Sequence, residues 1–283
     1  MKRCNTNFSS TIDDFSEQWT HFTSNDGYFA SEEILQDHFG DLLQLPEITG
    51  TRVCEVGSGN GRFLKILSKY ASEVVGIEPS DAINVSQAFT KEIPNVRHLK
   101  AAVENLGEMA GNSEHGFLLG EFDYVFCIGV LHHLPHPIEA LANMRKILNN
   151  KGRLIVWVYG KEGNEAYLRI FRPIRAVTVR LPHRLLLWCS WPLALTARCY
   201  GWLCRLIPLP LHSYFRRVLN RCSWKTLVMN VYDQLNPRIA NYWSRSEIEA
   251  LFRAAGFNQL RFFHRHGYSW TVVTETNASR SRS

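Results

Sequence analysis

From Val53 to Arg62 an apolar stretch breaks into glycines at alternate positions, Gly57-Ser58-Gly59-Asn60-Gly61, before a helical pattern resumes. Glycine lets the backbone take positive φ and lets a ligand approach bare N–H groups. The free N–H groups that open the next helix attract an anion. The following apolar stretch runs into Gly76-Ile77-Glu78-Pro79-Ser80. A carboxylate at such a strand end can accept hydrogen bonds from both hydroxyls of a ribose. The pair describes a nucleoside site. Its spacing is G-x-G-x-G, not the G-x-G-x-x-G that cradles a pyrophosphate. Glu55, two residues before the first glycine, would add negative charge beside a pyrophosphate, whereas a nucleoside that carries an ammonium group would use it. A nicotinamide cofactor stays open as the alternative at this point.

His132, His133 and His136 form the second group that could do chemistry. They read as packing residues of a loop, as a substrate-facing base at His132, or as a metal cluster. No acidic or cysteine cluster at ligand spacing accompanies them, and no metal is expected. His133, Tyr159, Tyr232, His264 and His266 are the other candidate bases. His132 is preferred among the six.

These residues need elements to hold them. Between Arg52 and Gly160, short apolar strands at 52–56, 74–78, 96–99, 122–128 and 153–159 alternate with helical spacing, as in Phe63, Leu64, Leu67 and Ala71. A helix over 137–148 should end at Asn149-Asn150-Lys151-Gly152, a stop followed by a turn. Such alternation implies a doubly wound α/β sheet, parallel and covered by helices on both faces. Residues 161–225 break the pattern, with Pro173, Pro182, Pro192, Pro208 and Pro210 expected to interrupt helices. A last helix at 246–255 and strands at 259–264 and 268–274 follow. The expected organisation is a helical lid over 1–45 and a core over 46–160. A basic helical insertion over 161–235 follows, then a closing helix and hairpin over 236–276 and a disordered tail over 277–283. Trp19, Tyr28 and Phe29 would close the lid over the site or simply pack a terminal helix.

Taken in order, Glu55-Val56-Gly57-Ser58-Gly59-Asn60-Gly61, Glu78, the run from Phe122 to Leu134 and Ile147–Leu154 resemble the class I S-adenosylmethionine-dependent methyltransferases. The likeness is nearest the ubiquinone-biosynthesis-like (type 11–12) branch. It covers about residues 50–160 closely and 240–275 loosely. It implies a seven-stranded Rossmann-like sheet with an antiparallel C-terminal strand and S-adenosylmethionine as cofactor. Gly57, Ser58, Gly59 and Gly61 would line its methionine end, with Glu55 beside the ammonium group. Glu78 would hold the ribose with Pro79 alongside, and Val103 and Glu104 would lie beside the adenine. Cys127 and Ile128 would open beneath the cofactor. Many relatives carry an Asp where this chain has Ala102, so Glu104 or backbone groups would have to take its place.

Charge is unevenly spread. Twelve Lys or Arg against Glu162 and Glu165 give the stretch from Lys161 to Lys225 a net +10, so the rest carries −4 of the total +6. Arginines there punctuate Leu and Trp. The insertion reads as a helical cap or homodimer contact, or as a membrane-facing segment at 169–225 that meets anionic lipid or a lipid-linked acceptor. Nucleic acid is the least favoured partner, since the arginines do not form a polar stripe. Arg180, Arg184, Arg198 and Arg205 would share a face on ideal helical spacing. The uncharged run between Arg184 and Arg198 is too short to span a bilayer. Seven cysteines without a CxxC pair and an N-terminus without an apolar run suit a reduced cytoplasmic protein, with attachment to the inner face of a membrane left open. The expected function is methyl transfer to a small or amphipathic acceptor, lipid-linked, glycan or quinone-like. The alternatives are a nicotinamide-dependent oxidoreductase and a catalytically silent scaffold.

Overall fold

The computed structural model describes residues 6–109 and 121–276. The tail expected to be disordered and Cys4 lie outside them. Seven strands form one sheet: β1 (Arg52–Val56), β2 (Glu73–Ile77), β3 (Val96–Leu99), β4 (Phe122–Ile128), β5 (Leu148–Tyr159), β6 (Leu260–Arg265) and β7 (Ser269–Glu275). Their order across the sheet is β3-β2-β1-β4-β5-β7-β6. The first five are parallel, and β7 runs antiparallel between β5 and β6. The chain reverses its winding between β1 and β4, the place where open α/β sheets bind ligands.

Period-two alternation builds both faces. Cys54 and Val56 of β1, Val125 and Cys127 of β4, and Leu154, Val156 and Val158 of β5 bury on one side. There they meet α6 (Pro137–Ile147) and α11 (Arg245–Ala254). Val53, Tyr124, Phe126 and Ile155 turn to the other side. That side is covered by α2 (Glu32–Phe39) and α3 (Arg62–Leu67). Helix α2 thus belongs to the core, through Ile34, Leu35 and Phe39. A fully buried Arg265 ties β6 to it, donating to Asp37 from Nη2 at 2.6 Å. Burial works to raise the Asp37 pKa, but His266 and Arg265 outweigh it and hold it at about 2.

Two expectations shift. Residues Asn149 to Gly152 do not form a turn after the helix, because β5 begins at Leu148. The register with β4 jumps from Phe122↔Leu148 to Tyr124↔Arg153, so those four residues bulge from the strand with Lys151 at φ 85°. The prolines also interrupt less than expected. Pro173 sits inside α7 (Glu165–Thr178) and Pro192 inside α8 (His183–Leu206). Both are exposed, so the carbonyl each leaves unpaired turns to water and the helix continues.

Helix α8 is followed by α9 (His212–Arg217) and α10 (Trp224–Leu235). It packs on α10 through small apolar groups of its own, Ala194 with Leu227 and Val228, and Leu186 with Tyr232 and Leu235. Helix α1 (Thr6–His21) is tied to α10, with Gln18 Nε2 donating to Asp233 Oδ1 at 2.8 Å.

Candidate functional site

A cavity of about 690 Å³ opens above the C-terminal ends of β1, β2 and β4, roofed by α1 and walled on its far side by α7 to α10. Its floor is the glycine turn. Gly57 has φ 75°, and a Cβ there would overlap the Val130 methyls, so the turn admits no side chain. Glu78, just past β2, points back at this turn. Its Oε2 accepts from the Gly59 N–H and its Oε1 from the Ser80 N–H, each at 3.0 Å. Two backbone donors fix the carboxylate while lone pairs remain for a ligand's hydroxyls.

Several buried acceptors in this cavity have no hydrogen-bond partner within the protein: Glu55 Oε2, Ser58 Oγ and both carboxylate oxygens of Glu104. Folded proteins as a rule satisfy their buried polar groups, so unpartnered acceptors gathered in one cavity mark where a ligand's donors belong. Burial, with Glu78 adding to it, pushes the Glu55 pKa up to about 8 against the pull of Arg62. Burial likewise raises the Glu104 pKa. Arg62 stacks over Phe29 and is itself lowered to about 10 by burial.

Of the residues singled out for the cofactor, Glu55, Gly57, Ser58, Gly59, Glu78, Pro79, Val103, Glu104 and Ile128 all line the cavity. Gly61 and Cys127 do not. Gly61 caps α3 at φ 82°, where a Cβ would overlap Ser86, and Cys127 is buried in the sheet. Both act on the site only by shaping what lies above them. Ala102 lines the wall beside Glu104, whose carboxylate oxygens are left without a partner within the protein. Trp19, Phe15 and Phe29 roof the cavity, while Tyr28 stays outside it and lies over Arg221. The Trp19 indole sits against Gly59, and Asn25 Nδ2 donates to the Asn60 carbonyl at 2.8 Å, holding this roof to the turn.

His132, the preferred base, is 0% exposed, does not line the cavity and packs against Tyr159 with ring centroids 3.9 Å apart and planes tilted by 34°. Its neighbour His133 does line it. His133 Nδ1 lies 2.6 Å from the Ile239 carbonyl, which can only accept, so the proton sits on Nδ1 and Nε2 keeps its lone pair. Burial lowers the His133 pKa to about 4, with Asp233 opposing, so the ring is neutral at pH 7. Tyr159 also lines the cavity, its hydroxyl 3.3 Å from Asp233 Oδ2 and 3.2 Å from Gln234 Nε2. Burial raises its pKa well above the ordinary phenol value. Tyr232, His264 and His266 lie outside the wall.

Gln234 extends the polar group, accepting from the Tyr167 hydroxyl at 2.7 Å and lending its carbonyl to Arg175 Nε at 2.8 Å. Asp233 and Gln234 reach the cavity from the last turn of α10. Tyr167, Tyr242 and Arg175 were not foreseen, since nothing local in a Leu- and Arg-rich stretch distinguishes an inward arginine from an outward one. The opposite wall is apolar and aromatic, with Phe171, Leu193, Tyr200, Tyr214 and Phe215.

A family model described as a methyltransferase domain matches residues 29–261. Among curated proteins, the chain is 29% identical over 138 residues to a tRNA U34 carboxymethyltransferase of Campylobacter concisus, covering 48% of this chain and 45% of that protein. It is 31% identical over 143 residues to one of Sulfurovum sp., covering 50% and 45%. The match thus spans less than half the length of these relatives. Among solved structures, the Burkholderia thailandensis 1,6-didemethyltoxoflavin-N1-methyltransferase with bound 1,6-didemethyltoxoflavin and S-adenosylhomocysteine superposes with TM-score 0.52 at 14% identity, over 95% of this chain and 88% of that one. That likeness is one of fold.

Proposed function

This chain belongs to the methyltransferase-domain family, the class I S-adenosylmethionine-dependent methyltransferases, and we propose that it moves the cofactor's methyl group to a small amphipathic acceptor bearing a removable proton. The family model describes the methyltransferase domain and specifies no branch within it. The observation that carries the reading is the pairing of Gly59 and Glu78 between the ends of β1 and β2, in one cavity with the unpartnered Glu55 and Glu104 carboxyls. Their chemistry fits the cofactor. Glu78 would take the ribose hydroxyls, Glu55 the ammonium group and Glu104 the adenine amino group. The cofactor, when bound, supplies a methyl group on a positively charged sulfur.

The chain's own residues align, dry and deprotonate. Trp19, Phe15 and Phe29 exclude water from a region where positive charge is dispersed as the methyl moves. Orienting the acceptor can supply about 7–11 kcal/mol in favourable cases. His133 Nε2 accepts the acceptor's proton. Methylation makes that proton far more acidic as the new bond forms, so a weak base suffices. Asp233, held by Gln18 and Tyr159, stabilises the resulting imidazolium.

Glu55 gives a pH prediction. Its carboxyl is mostly protonated below pH about 8 in the free protein, and pairing with an ammonium group requires the ionised form. Cofactor binding should therefore release a proton below that pH, and affinity should rise with pH toward 8. Calorimetry in buffers of different ionisation enthalpy checks this. A binding heat independent of buffer at pH 6.5 would remove Glu55 from the ammonium site.

The names of the curated relatives favour a second reading, transfer to RNA, although they match only about half of this chain. The far wall of the cavity, aromatic and apolar, supports the small amphipathic acceptor instead. Incubation with methyl-labelled cofactor and a host lysate split into lipid, small-molecule, RNA and protein fractions separates them. Label in the lipid or small-molecule fraction is expected. Label confined to RNA would overturn the acceptor class and leave methyl transfer standing.

A further inference from the structure

Methyl transfer leaves one surface without a task. On α8, Leu185, Trp188, Leu195, Trp202 and Leu206 recur at three-, four- or seven-residue spacing and so share one side of the helix. All five are exposed, Trp188 to 78%, Leu206 to 67% and Trp202 to 59%. This stripe runs along a helix of about 36 Å at 1.5 Å per residue. Arg184 and Arg205, both exposed, flank its two ends. Arg198, expected to share their face, turns inward instead and donates from Nη2 to the Cys222 carbonyl at 2.9 Å. Helix α7 repeats the theme, with Ile170, Ile174 and Val177 exposed beside exposed Arg169, Arg172 and Arg180. From Ala166 to Tyr232 the chain has no Asp or Glu. No helix among the described residues is long and apolar enough to cross a membrane.

The mouth of the cavity opens among these same faces. Ala166 and Ile170 of α7 and Thr196 of α8 both line the cavity and are exposed, so they form its rim. Ile170 thus belongs both to the exposed apolar face of α7 and to the cavity rim.

We propose that α7 and α8 lie in the plane of an anionic membrane surface and that an amphiphilic acceptor enters the cavity from that bilayer. Trp and Leu of the stripe sit at the boundary between headgroups and acyl chains, and the flanking arginines meet the lipid phosphates. Charge selects this occupant. A second copy seated symmetrically would set arginine against arginine with no acid to answer it. Nucleic acid would need the cations to form a continuous track, whereas here they border an apolar surface. The entry route rests on the methyl-transfer reading, but the docking face does not.

The test is flotation of the whole chain with vesicles of phosphatidylcholine alone and of an equal mixture with phosphatidylglycerol. Binding to the mixed vesicles should be about tenfold stronger or more, and should weaken with salt. The double variant W188S/W202S should lose about tenfold or more in binding to the mixed vesicles. R184E/R205E should lose the preference for anionic lipid. Neither pair touches the cavity, so affinity for S-adenosylmethionine in solution, read by calorimetry, should not change. No flotation with either vesicle overturns the proposal, and so does flotation indifferent to W188S/W202S. Self-association by light scattering that W188S/W202S abolishes, without flotation, would assign the face to a second copy. Vesicle binding intact with no cofactor affinity would defeat methyl transfer and leave the docking face in place.

Discussion

Replacing Glu78 with Ala is expected to weaken S-adenosylmethionine binding about 100-fold or more. Hydrogen bonds to a charged acceptor are worth about 1.5–3 kcal/mol each, and the ribose offers two. The variant also leaves the Gly59 and Ser80 N–H groups without their acceptor. Gly59 and Glu78 line the cavity, where water can replace the carboxylate, so the protein should stay folded while the turn loosens. Equilibrium dialysis with labelled cofactor gives the affinity, and a thermal melt separates lost binding from lost folding. Undiminished affinity in a folded Glu78→Ala protein would mean that the ribose lies elsewhere.

The second large effect belongs to His133. Removing a general base typically costs about 10²–10⁴ in turnover, and His133→Ala should fall in that range with cofactor affinity unchanged. The contrast is His132, one position away. Its ring is buried without a hydrogen-bond partner on either nitrogen, and burial holds its pKa well below the ordinary value. An apolar side chain of similar size satisfies such a site as well or better. His132→Leu should therefore keep turnover within a few-fold of the parent, measured on whichever fraction accepts the label. The reverse outcome, a dead His132→Leu and an active His133→Ala, would return the base to His132 and refute the geometry given for Nε2. Because the His133 pKa is about 4, the acidic limb of the rate profile should lie near that value and not near 6.5.

The sheet and the cofactor half of the cavity were legible because their signals are local. Alternating apolar runs, glycines at every second position and an acid at a strand end each depend on a few neighbouring residues. The strands at Arg52–Val56, Val96–Leu99 and Phe122–Ile128 stand where the spacing put them. The errors lie where local pattern and tertiary context compete. Asn149 to Gly152 reads as a turn, but pairing with β4 on either side of it, at Leu148 and Arg153, carries the strand through it as a bulge. Pro173 and Pro192 read as breaks, but their exposed positions let water donate to the carbonyls they leave unpaired. Two adjacent histidines look alike in sequence. Only the Ile239 carbonyl, 106 residues away, singles out His133 and sets its tautomer. The acceptor wall was the least legible part. Tyr159, Tyr167 and Asp233 come from three elements, and no spacing links them.

Titration calorimetry of the purified chain with S-adenosylmethionine and, separately, with the oxidised nicotinamide dinucleotides tests the central claim most directly. Saturable one-to-one binding of the sulfonium nucleoside, with no heat from either dinucleotide, is the predicted result. Saturable dinucleotide binding in a protein that ignores S-adenosylmethionine would contradict it.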